Sequence, residues 1–486
     1  MPITSLPGKY GIGCFSKEAY AFVDWLKDAG QTYWQILPIH PTSYGDSPYQ
    51  SFSTFAGNPY FIDLEALIEE GVLSREECDS MDFGEFEDDI DYEELYKNRY
   101  ILLAMAYERS NISQNPEYQK FVAENRWWLD DYALFMALKN FFDGQCWYEW
   151  PEDIRLRWGY ALDYYRRELY FEIEFQMYLQ FKVFQQYGRL KAYANENNIK
   201  MIGDIPIYVA MDSADTWAHP ELFQLDENNI PTAVAGCPPD GFSATGQLWG
   251  NPLYRWDVHK EEDYRWWIRR LAAAGRWYDV TRVDHFRGFE AYWAVPLGDE
   301  TARNGKWVKG PDIALFKEFE KEFGKNLPII AEDLGFITDD VRALLDDTGF
   351  PGMKMLQFAF FDNDSEYLPR TYKTANCVAY PGSHDADCVK TWCKNLTGPA
   401  LVRFNRECPR NTQQSRTYDL IEFAMRSPAN LTVVPMQDYL ELTNEEGRMN
   451  TPAVAEGNWT WRMSPRYRTA SLSARVQNMI ARTKRA

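Results

Sequence analysis

The chain has 486 residues, of which 45% are hydrophobic and 25% are charged, so it lies well outside the composition of disordered proteins. Its 51 Lys+Arg against 72 Asp+Glu give a net charge of −21. A field of that sign repels nucleic-acid phosphates and anionic lipid headgroups, so we expect neither a nucleic acid nor a membrane as a partner.

Short apolar runs alternate with longer amphipathic segments along the chain. The first amphipathic segment predicts a helix over 17–29, which Ser16 can cap at its start and Gly30 can end. Apolar runs predict seven buried parallel strands, which begin at Tyr33, Met201, Val280, Leu327, Met353, Cys377 and Leu431. This alternation indicates either an open doubly wound sheet or a (β/α)8 barrel.

Two stretches are too long to be simple connections between strands. The stretch 65–185 is helical in pattern and rich in acids and aromatics, which predicts a helical insertion on a single catalytic barrel spanning 1–486. The stretch 213–260 predicts a loop and helix insertion over the active-site cleft. Within it, 236–254 is crowded with Gly, Pro and small polar residues, so we expect a long loop there.

Two features favour the barrel over the open sheet. No phosphate-binding glycine loop follows an early strand, and PGKYGIG at 7–13 has the wrong spacing for one. Acids also stand at or just beyond the ends of four predicted strands, namely Asp204, Asp284, Glu332 and Asp385. Barrel enzymes build their active sites from the C-terminal tips of several strands.

Cysteine and histidine spacing argues against a metal site. The eight cysteines include no CxxC pair, and the five histidines show no HExxH spacing.

The N-terminus has no basic stretch followed by an apolar run, and no apolar stretch is long enough to span a bilayer. We therefore expect a cytoplasmic protein with free thiols.

The acids at the strand ends suit glycosyl transfer. Asp284 and Glu332 are 48 residues apart and Asp385 follows 53 residues later, so successive strand–helix units can present them to one pocket. Glycosyl transfer needs one ionised carboxylate and a second one whose pKa is raised, and crowded acids in a cleft provide that difference. Arg282 shares a strand face with Asp284 and can keep it ionised. Structural ion pairs at the strand ends are an equally good explanation of the same residues.

Several segments resemble one enzyme family. They are GDSPYQSFSTFAGNPYFIDL at 45–64, GDIPIYVAMDSADTWA at 203–218, PPDGFSATGQLWGNPLY at 238–254, TRVDHFRGF at 281–289, IIAEDLG at 329–335 and GSHDAD at 382–387. In this order they resemble the 4-α-glucanotransferases called amylomaltase or disproportionating enzyme, glycoside hydrolase family 77. The likeness covers nearly the whole chain, through RMNTPAVAEGNWTWRM at 448–463.

The resemblance implies a role for each matching residue. Asp284 would be the nucleophile, Glu332 the general acid/base, and Asp385 the third acid, which holds and distorts the sugar. The residues implied to bind substrate are Arg282, His285, His384, Asp204, Asp212, Asp46, Ser47, Tyr49 and Trp249. Asp46, Ser47 and Tyr49 also suit a turn, and Tyr49 and Trp249 could be packing residues, although we expect Trp249 to be exposed in its glycine-rich loop.

The sequence also departs from the family pattern. Most of the first barrel strand is missing before the SLPGKYGIG segment, so we expect a barrel with a truncated first strand. Gly241 replaces an aromatic residue, and Ala386 and Cys388 replace Asn and Thr. The familiar LPHNY is LPRTY at 368–372. These changes leave the three acids in place but affect residues expected beside the acceptor path.

The implied activity is transfer of α-1,4-glucan segments between maltooligosaccharides, with glucose as an acceptor or product. No cofactor is expected, because two carboxylates suffice for this chemistry. One alternative is an α-amylase-like hydrolase, and another is an inactive glucan-binding or scaffold protein. The sequence leaves the oligomeric state open.

Overall fold

The computed structural model describes residues 1–43, 45–239, 243–454 and 456–485. The strands in these residues are β1 (Tyr33–Gln35), β2 (Lys200–Ile205), β3 (Ala233–Cys237), β4 (Gln247–Pro252), β5 (Val280–Val283), β6 (Ala291–Pro296), β7 (Lys306–Lys309), β8 (Ile329–Ala331), β9 (Gly352–Met355), β10 (Cys377–Tyr380) and β11 (Leu431–Thr432). The helices are α1 (Lys17–Asp28), α2 (Leu64–Glu69), α3 (Arg75–Asp79), α4 (Tyr92–Arg109), α5 (Pro116–Phe141), α6 (Glu152–Arg155), α7 (Gly159–Glu168), α8 (Tyr170–Glu196), α9 (Ala214–Ala218), α10 (Trp256–Glu261), α11 (Arg265–Trp277), α12 (Ile313–Phe323), α13 (Asp339–Thr348), α14 (Val389–Asn395), α15 (Gly398–Glu407), α16 (Arg416–Met425), α17 (Met436–Tyr439), α18 (Asn444–Gly447) and α19 (Ala470–Thr483).

Seven parallel strands form the main sheet, in the order β1-β2-β5-β8-β9-β10-β11. All seven strands predicted from the apolar runs belong to it, so those predictions are confirmed. The sheet forms the wall of an α/β barrel, as expected, because each buried strand needs helices on its outer face. The parallel register places the C-terminal ends of β2, β5, β8 and β10 at one rim.

The barrel wall has seven of the eight expected strands in the described residues, and no ladder joins β11 to β1 there. The amino group of Met1 donates to the carbonyl oxygen of Gln35 at 3.2 Å, and the Trp34 indole N–H donates to the Met1 carbonyl oxygen at 2.7 Å. A cavity of about 590 Å³ beside these residues is lined by both β1 and β11. Residue 1 therefore lies against β1 without continuing the sheet.

Helix α1 illustrates how local sequence sets an element. The Ser16 hydroxyl oxygen accepts a hydrogen bond from the Glu18 backbone N–H, which caps the helix start. Phe22, Val23 and Leu26 are buried on one face, and Gly30 follows the helix with a φ of +72°. A left-handed glycine directly after a helix is a common stop signal.

Helices α2–α8 all lie between β1 and β2. Polar side chains from α8 attach this helical segment to the barrel. The Gln180 side chain bonds both the N–H and the carbonyl oxygen of Gly57, at 2.8 and 2.9 Å, and Gln186 accepts from the Asp63 N–H at 2.7 Å. These amide groups are buried, so each satisfies a backbone group that water cannot reach.

A second, antiparallel sheet has the order β4-β3-β6-β7. The expectation of a long loop over 236–254 is wrong, because β3 and β4 pair there as two strands of this sheet. Gly236 allows β3 and β4 to approach each other closely. A Cβ at Gly236 would lie 2.4 Å from the Gln247 carbonyl oxygen, so a larger residue would force the strands apart.

Membrane-spanning helices and metal-binding clusters are both absent from the described residues. None of the helices there has the length and apolar character needed to cross a membrane. No group of three or more His, Cys, Asp or Glu side chains in that part of the chain could hold a metal ion.

Candidate active site

The rim of the main sheet brings together the acids predicted from the sequence. Asp204 lies in β2, Asp284 directly follows β5, Glu332 directly follows β8, and Asp385 lies five residues beyond β10. Because parallel strands end at the same edge, four distant sequence positions meet in one site.

Arg282 is the central cation of the site. It is the register partner of Asp204 across β2 and β5. One guanidinium nitrogen donates to Asp204 Oδ2 at 2.5 Å, and the other donates to Asp284 Oδ1 at 2.9 Å. Arg282 and Asp204 are almost fully buried, whereas the Asp284 side chain is 30% exposed. The guanidinium therefore holds Asp204 and Asp284 by one nitrogen each, and Asp284 stays accessible to a ligand.

A second set of hydrogen bonds leads from Asp204 to Asp385. The Tyr49 hydroxyl donates to Asp204 Oδ2 at 2.7 Å and lies 3.0 Å from His384 Nε2. The same histidine nitrogen lies 3.2 Å from Asp385 Oδ2, and Asn450 Nδ2 donates to Asp385 Oδ1 at 2.6 Å. This network orients Asp385, whose side chain is 47% exposed to the cleft.

Glu332 is oriented by backbone groups. Its Oε2 accepts from the His285 N–H at 2.8 Å, and its Oε1 accepts from the Leu334 N–H at 2.9 Å. His285 has a φ of +51°, a left-handed conformation that is costly for a residue with a side chain. That turn, directly after Asp284, aims the His285 N–H at Glu332 and so couples the two acids.

The surroundings separate the pKa values of the acids. Burial raises the pKa of Glu332 to about 8, with the neighbouring Asp284 adding to the rise. Burial also raises the pKa of Asp284, to about 6, against the opposing charge of Arg282. Burial also tends to raise the pKa of Asp385. The contacts with His384 and Asn450 outweigh burial and lower that pKa to about 2. Near neutral pH this gives one ionised acid beside one protonated acid, the pairing that glycosyl transfer requires.

Comparisons with known proteins place this chain in one family. The sequence profile described as 4-alpha-glucanotransferase, glycoside hydrolase family 77, matches residues 1–469. This chain belongs to the 4-alpha-glucanotransferase family. It is 45% identical to the 4-alpha-glucanotransferase of Clostridium butyricum, over 99% of this chain and 98% of that protein. It is also 45% identical to the enzyme of the same name from Thermus thermophilus, over 99% and 97%.

A solved structure also matches the glucanotransferase fold of this chain. It is the amylomaltase from Streptococcus agalactiae in complex with acarbose, with a TM-score of 0.96 and 40% identity, covering 100% of this chain and 98% of that one.

Trp249 and His285 form one wall of the glucanotransferase site. Their rings meet edge to face, with centroids 4.8 Å apart. Trp249 is half-buried, so the expectation that it is exposed is wrong. The reason is that it stands on β4, which packs over the turn after β5, instead of on a free loop. His285 Nε2 is buried and has no partner in the part of the chain that the structure describes.

The Asp46–Tyr49 segment forms a turn whose end reaches the site. Asp46 has a φ of +56°, and the Ser47 hydroxyl oxygen accepts from the Tyr49 N–H at 3.3 Å, as the turn interpretation predicts. Asp46 lines a separate cavity of about 440 Å³, together with Tyr92 and Trp459. Of the three, only Tyr49 contacts the network of acids directly.

Asp212 does not join the other acids. Its Oδ2 accepts from Lys139 Nζ at 2.7 Å, and its Oδ1 accepts from the Trp147 N–H at 3.2 Å. Both side chains of this ion pair are close to fully buried. The structure therefore holds Asp212 in a buried ion pair, and the sugar contact that the resemblance implies for it stays a prediction.

The sequence analysis missed two residues of the site. Asn450 bonds Asp385 through its side chain, and its N–H donates to the His384 carbonyl oxygen at 3.1 Å. Trp459 lies against the Tyr49 and His384 rings, at 5.9 Å from each. Both lie in the RMNTPAVAEGNWTWRM segment at 448–463, whose likeness to the family could have indicated them.

Two of the departures from the family pattern, Ala386 and Cys388, line a cavity of about 770 Å³ beside Arg282. Gly241 lies outside the described residues.

Proposed function

We propose that this chain transfers α-1,4-glucan segments between maltooligosaccharide chains through a glycosyl intermediate on Asp284. The observation that carries the proposal is a pair of neighbouring acids with different pKa values: Asp284, which Arg282 contacts at 2.9 Å and whose pKa is about 6, and Glu332, whose pKa burial raises to about 8. The names of the relatives and the acarbose complex of the Streptococcus agalactiae amylomaltase support a maltooligosaccharide substrate.

The first half of the reaction forms the intermediate. Asp284 attacks the anomeric carbon of the donor while the bond to the glycosidic oxygen breaks. Glu332 gives its proton to that oxygen, which leaves as the 4-hydroxyl of the departing chain. Arg282 stabilises the negative charge on Asp284 before the reaction. The ionised Asp385 stabilises the positive charge that develops on the sugar in the transition state.

The second half reverses the roles. The ionised Glu332 removes the proton from the 4-hydroxyl of an acceptor, and that oxygen displaces Asp284 from the anomeric carbon. Two inversions retain the α configuration. Glucose serves as the smallest acceptor and is released when it is the departing group. In this scheme Tyr49, His384 and Asp204 hold Asp385 and Arg282 in place around the sugar.

Product analysis with maltotriose tests the proposal. We expect glucose together with a ladder of longer dextrins, because transfer conserves the number of glycosidic bonds. An α-amylase-like hydrolase would give only shorter sugars, and an inactive binding protein would leave maltotriose unchanged. Either result would overturn the proposal.

Azide rescue tests the two roles separately. In Glu332→Ala, azide should attack the glycosyl-enzyme and give an azide product of retained α configuration. In Asp284→Ala, azide should take the place of the nucleophile and give the inverted product. The opposite pattern of stereochemistry would exchange the assignments.

Trp249 is proposed to favour acceptors over water. It stands over His285 at the site, where it can exclude water and offer an aromatic face to a sugar. The Trp249→Ala variant should raise the ratio of new reducing ends to glucose released from maltotriose, since hydrolysis creates reducing ends and transfer does not. An unchanged ratio would remove Trp249 from this role.

We also propose that the enzyme works in the cytoplasm. The five buried cysteines, Cys14, Cys78, Cys377, Cys388 and Cys408, are free thiols in the part of the chain that the structure describes. Free thiols in this number are typical of a reducing compartment.

A further inference from the structure

Two exposed aromatic rings lie beside the catalytic loops. Phe336 is 63% exposed in the loop after β8, and Trp307 is 36% exposed on β7. Most other rings near the site are buried in the core or packed into the Tyr49–His384–Trp459 group. We refer to Phe336 and Trp307 as the aromatic pair.

Arg287 holds the aromatic pair in place. Its guanidinium carbon lies 3.8 Å from the Trp307 ring centroid and 6.0 Å from that of Phe336. One of its nitrogens donates to the Phe336 carbonyl oxygen at 2.6 Å. Arg287 is itself buried, so it acts as a rigid support under two exposed rings.

The aromatic pair is continuous with the catalytic acids. Arg287 comes three residues after Asp284, and Phe336 comes four residues after Glu332. The two loops are also joined by backbone, because the Phe286 N–H donates to the Glu332 carbonyl oxygen at 3.0 Å. The aromatic pair therefore extends the site on the flank of Glu332.

That flank faces the acceptor side in the proposed reaction. The general acid must reach the glycosidic oxygen, so it stands between the donor sugar and the departing or accepting chain. The donor-side residues Asp385 and His384 are linked to Tyr49 and Asn450, and none of their described contacts involves the aromatic pair.

Charge also points to a neutral occupant. The Lys309 ammonium, beside Trp307, lies 2.8 Å from a carboxylate oxygen of Glu290 and 2.9 Å from one of Asp312. A guanidinium nitrogen of Arg287 lies 3.7 Å from a carboxylate oxygen of Glu290. The local charges therefore balance one another within the protein. Exposed rings without a free charge suit the apolar faces of neutral sugar rings.

We propose that Phe336 and Trp307 form a stacking platform for the second and later glucose units of the acceptor chain. This inference rests on the proposed transfer function. Because the proposed platform binds the second and later units, it should distinguish chain acceptors from glucose, which has only the first unit.

The test uses α-maltotriosyl fluoride as donor, because its fluoride leaving group makes no acceptor-side sugar contacts. Fluoride release and transfer to maltotetraose or glucose are measured for the wild type, Phe336→Ala and Trp307→Ala. After correction for any change in the rate of fluoride release, the KM for maltotetraose should rise about tenfold in each alanine variant. The KM for glucose should change less.

Two controls accompany these variants. Phe336→Tyr keeps the ring and should keep the wild-type acceptor KM. Phe171→Ala removes an even more exposed ring, at the start of α8, and should change neither measurement. An acceptor KM within about twofold of wild type in Phe336→Ala, or an equal rise in Phe171→Ala, would overturn the platform. A wild-type protein that releases fluoride without any transfer would instead contradict the proposed function.

Discussion

Asp284 and Glu332 show how one turn can set the chemistry of two acids. Both acids could be predicted from their places at strand ends, and the Arg282 partner followed from the two-residue repeat of a strand. The left-handed turn at His285 could not, because only a small fraction of histidines adopt a φ such as +51° and the residue type alone does not predict it. Asn450 was missed because its contact with Asp385 joins positions 65 residues apart.

The separated pKa values predict a bell-shaped pH profile. The nucleophile must be ionised, so kcat/KM for maltotriose should rise as pH increases through about 6. The acid must be protonated, so the rate should fall as pH increases through about 8. With α-maltotriosyl fluoride the leaving group needs little protonation, and the alkaline fall of fluoride release should flatten. An alkaline fall that is identical for both donors would remove Glu332 as the acid.

Asn450 provides a second prediction at the residue scale. Asn450→Asp keeps the shape but places a carboxylate where an amide donated to Asp385 at 2.6 Å. Loss of a hydrogen bond to a charged group, plus repulsion, should lower kcat for transfer by about tenfold or more.

Asn458→Asp is the matched control for that change. Its side-chain oxygen accepts from the Thr451 N–H at 2.8 Å, a contact that a carboxylate can keep. Its amide nitrogen donates to the Val454 carbonyl oxygen at 2.8 Å, so this variant also loses one amide hydrogen bond of the loop, but not one to Asp385. If both variants lose the same activity, the effect belongs to the loop and not to Asp385.

At the scale of elements, the seven barrel strands were predictable because buried parallel strands are continuous apolar runs. Strands β3 and β4 were not, because their glycines and prolines are typical of loops. The structure shows that Gly236 serves a close strand contact instead. The helical stretch before β2 was recognised by its pattern, but which side chains attach it to the barrel depended on tertiary contacts such as that of Gln180 with Gly57.

The Lys139–Asp212 ion pair connects α5 to the segment before α9, and its removal should affect stability but not substrate binding. Asp212→Leu removes the acid that faces the buried Lys139 ammonium, which keeps its hydrogen bonds to the Gly144 and Gln145 carbonyl oxygens, and should lower the free energy of unfolding by about 3–5 kcal/mol. The Lys139→Met/Asp212→Leu double variant should lose less, because no buried charge remains. Urea unfolding measures both values.

Glu93→Ala removes the exposed Lys97–Glu93 pair while Lys97 keeps Glu94, so the free energy of unfolding should stay close to the wild-type value. The KM for maltotriose should stay at the wild-type value in folded Asp212→Leu protein. A raised KM would instead support the sugar contact that the family resemblance implies for Asp212.

At the scale of the whole molecule, the net charge of −21 should act only on charged ligands. The proposed substrates are neutral, so kcat/KM for maltotriose should change little between about 10 and 500 mM salt. A maltooligosaccharide acceptor with a terminal uronic acid carries a negative charge and should be repelled at low salt. Since the Debye length shortens from about 30 Å at 0.01 M to about 10 Å at 0.1 M, its acceptor efficiency should rise with salt toward that of the neutral chain. Competition between the two acceptors in one reaction measures the ratio directly. A ratio independent of salt would mean that the local balance of charges at the site, such as Lys309 with Glu290, screens the acceptor from the field of the whole protein.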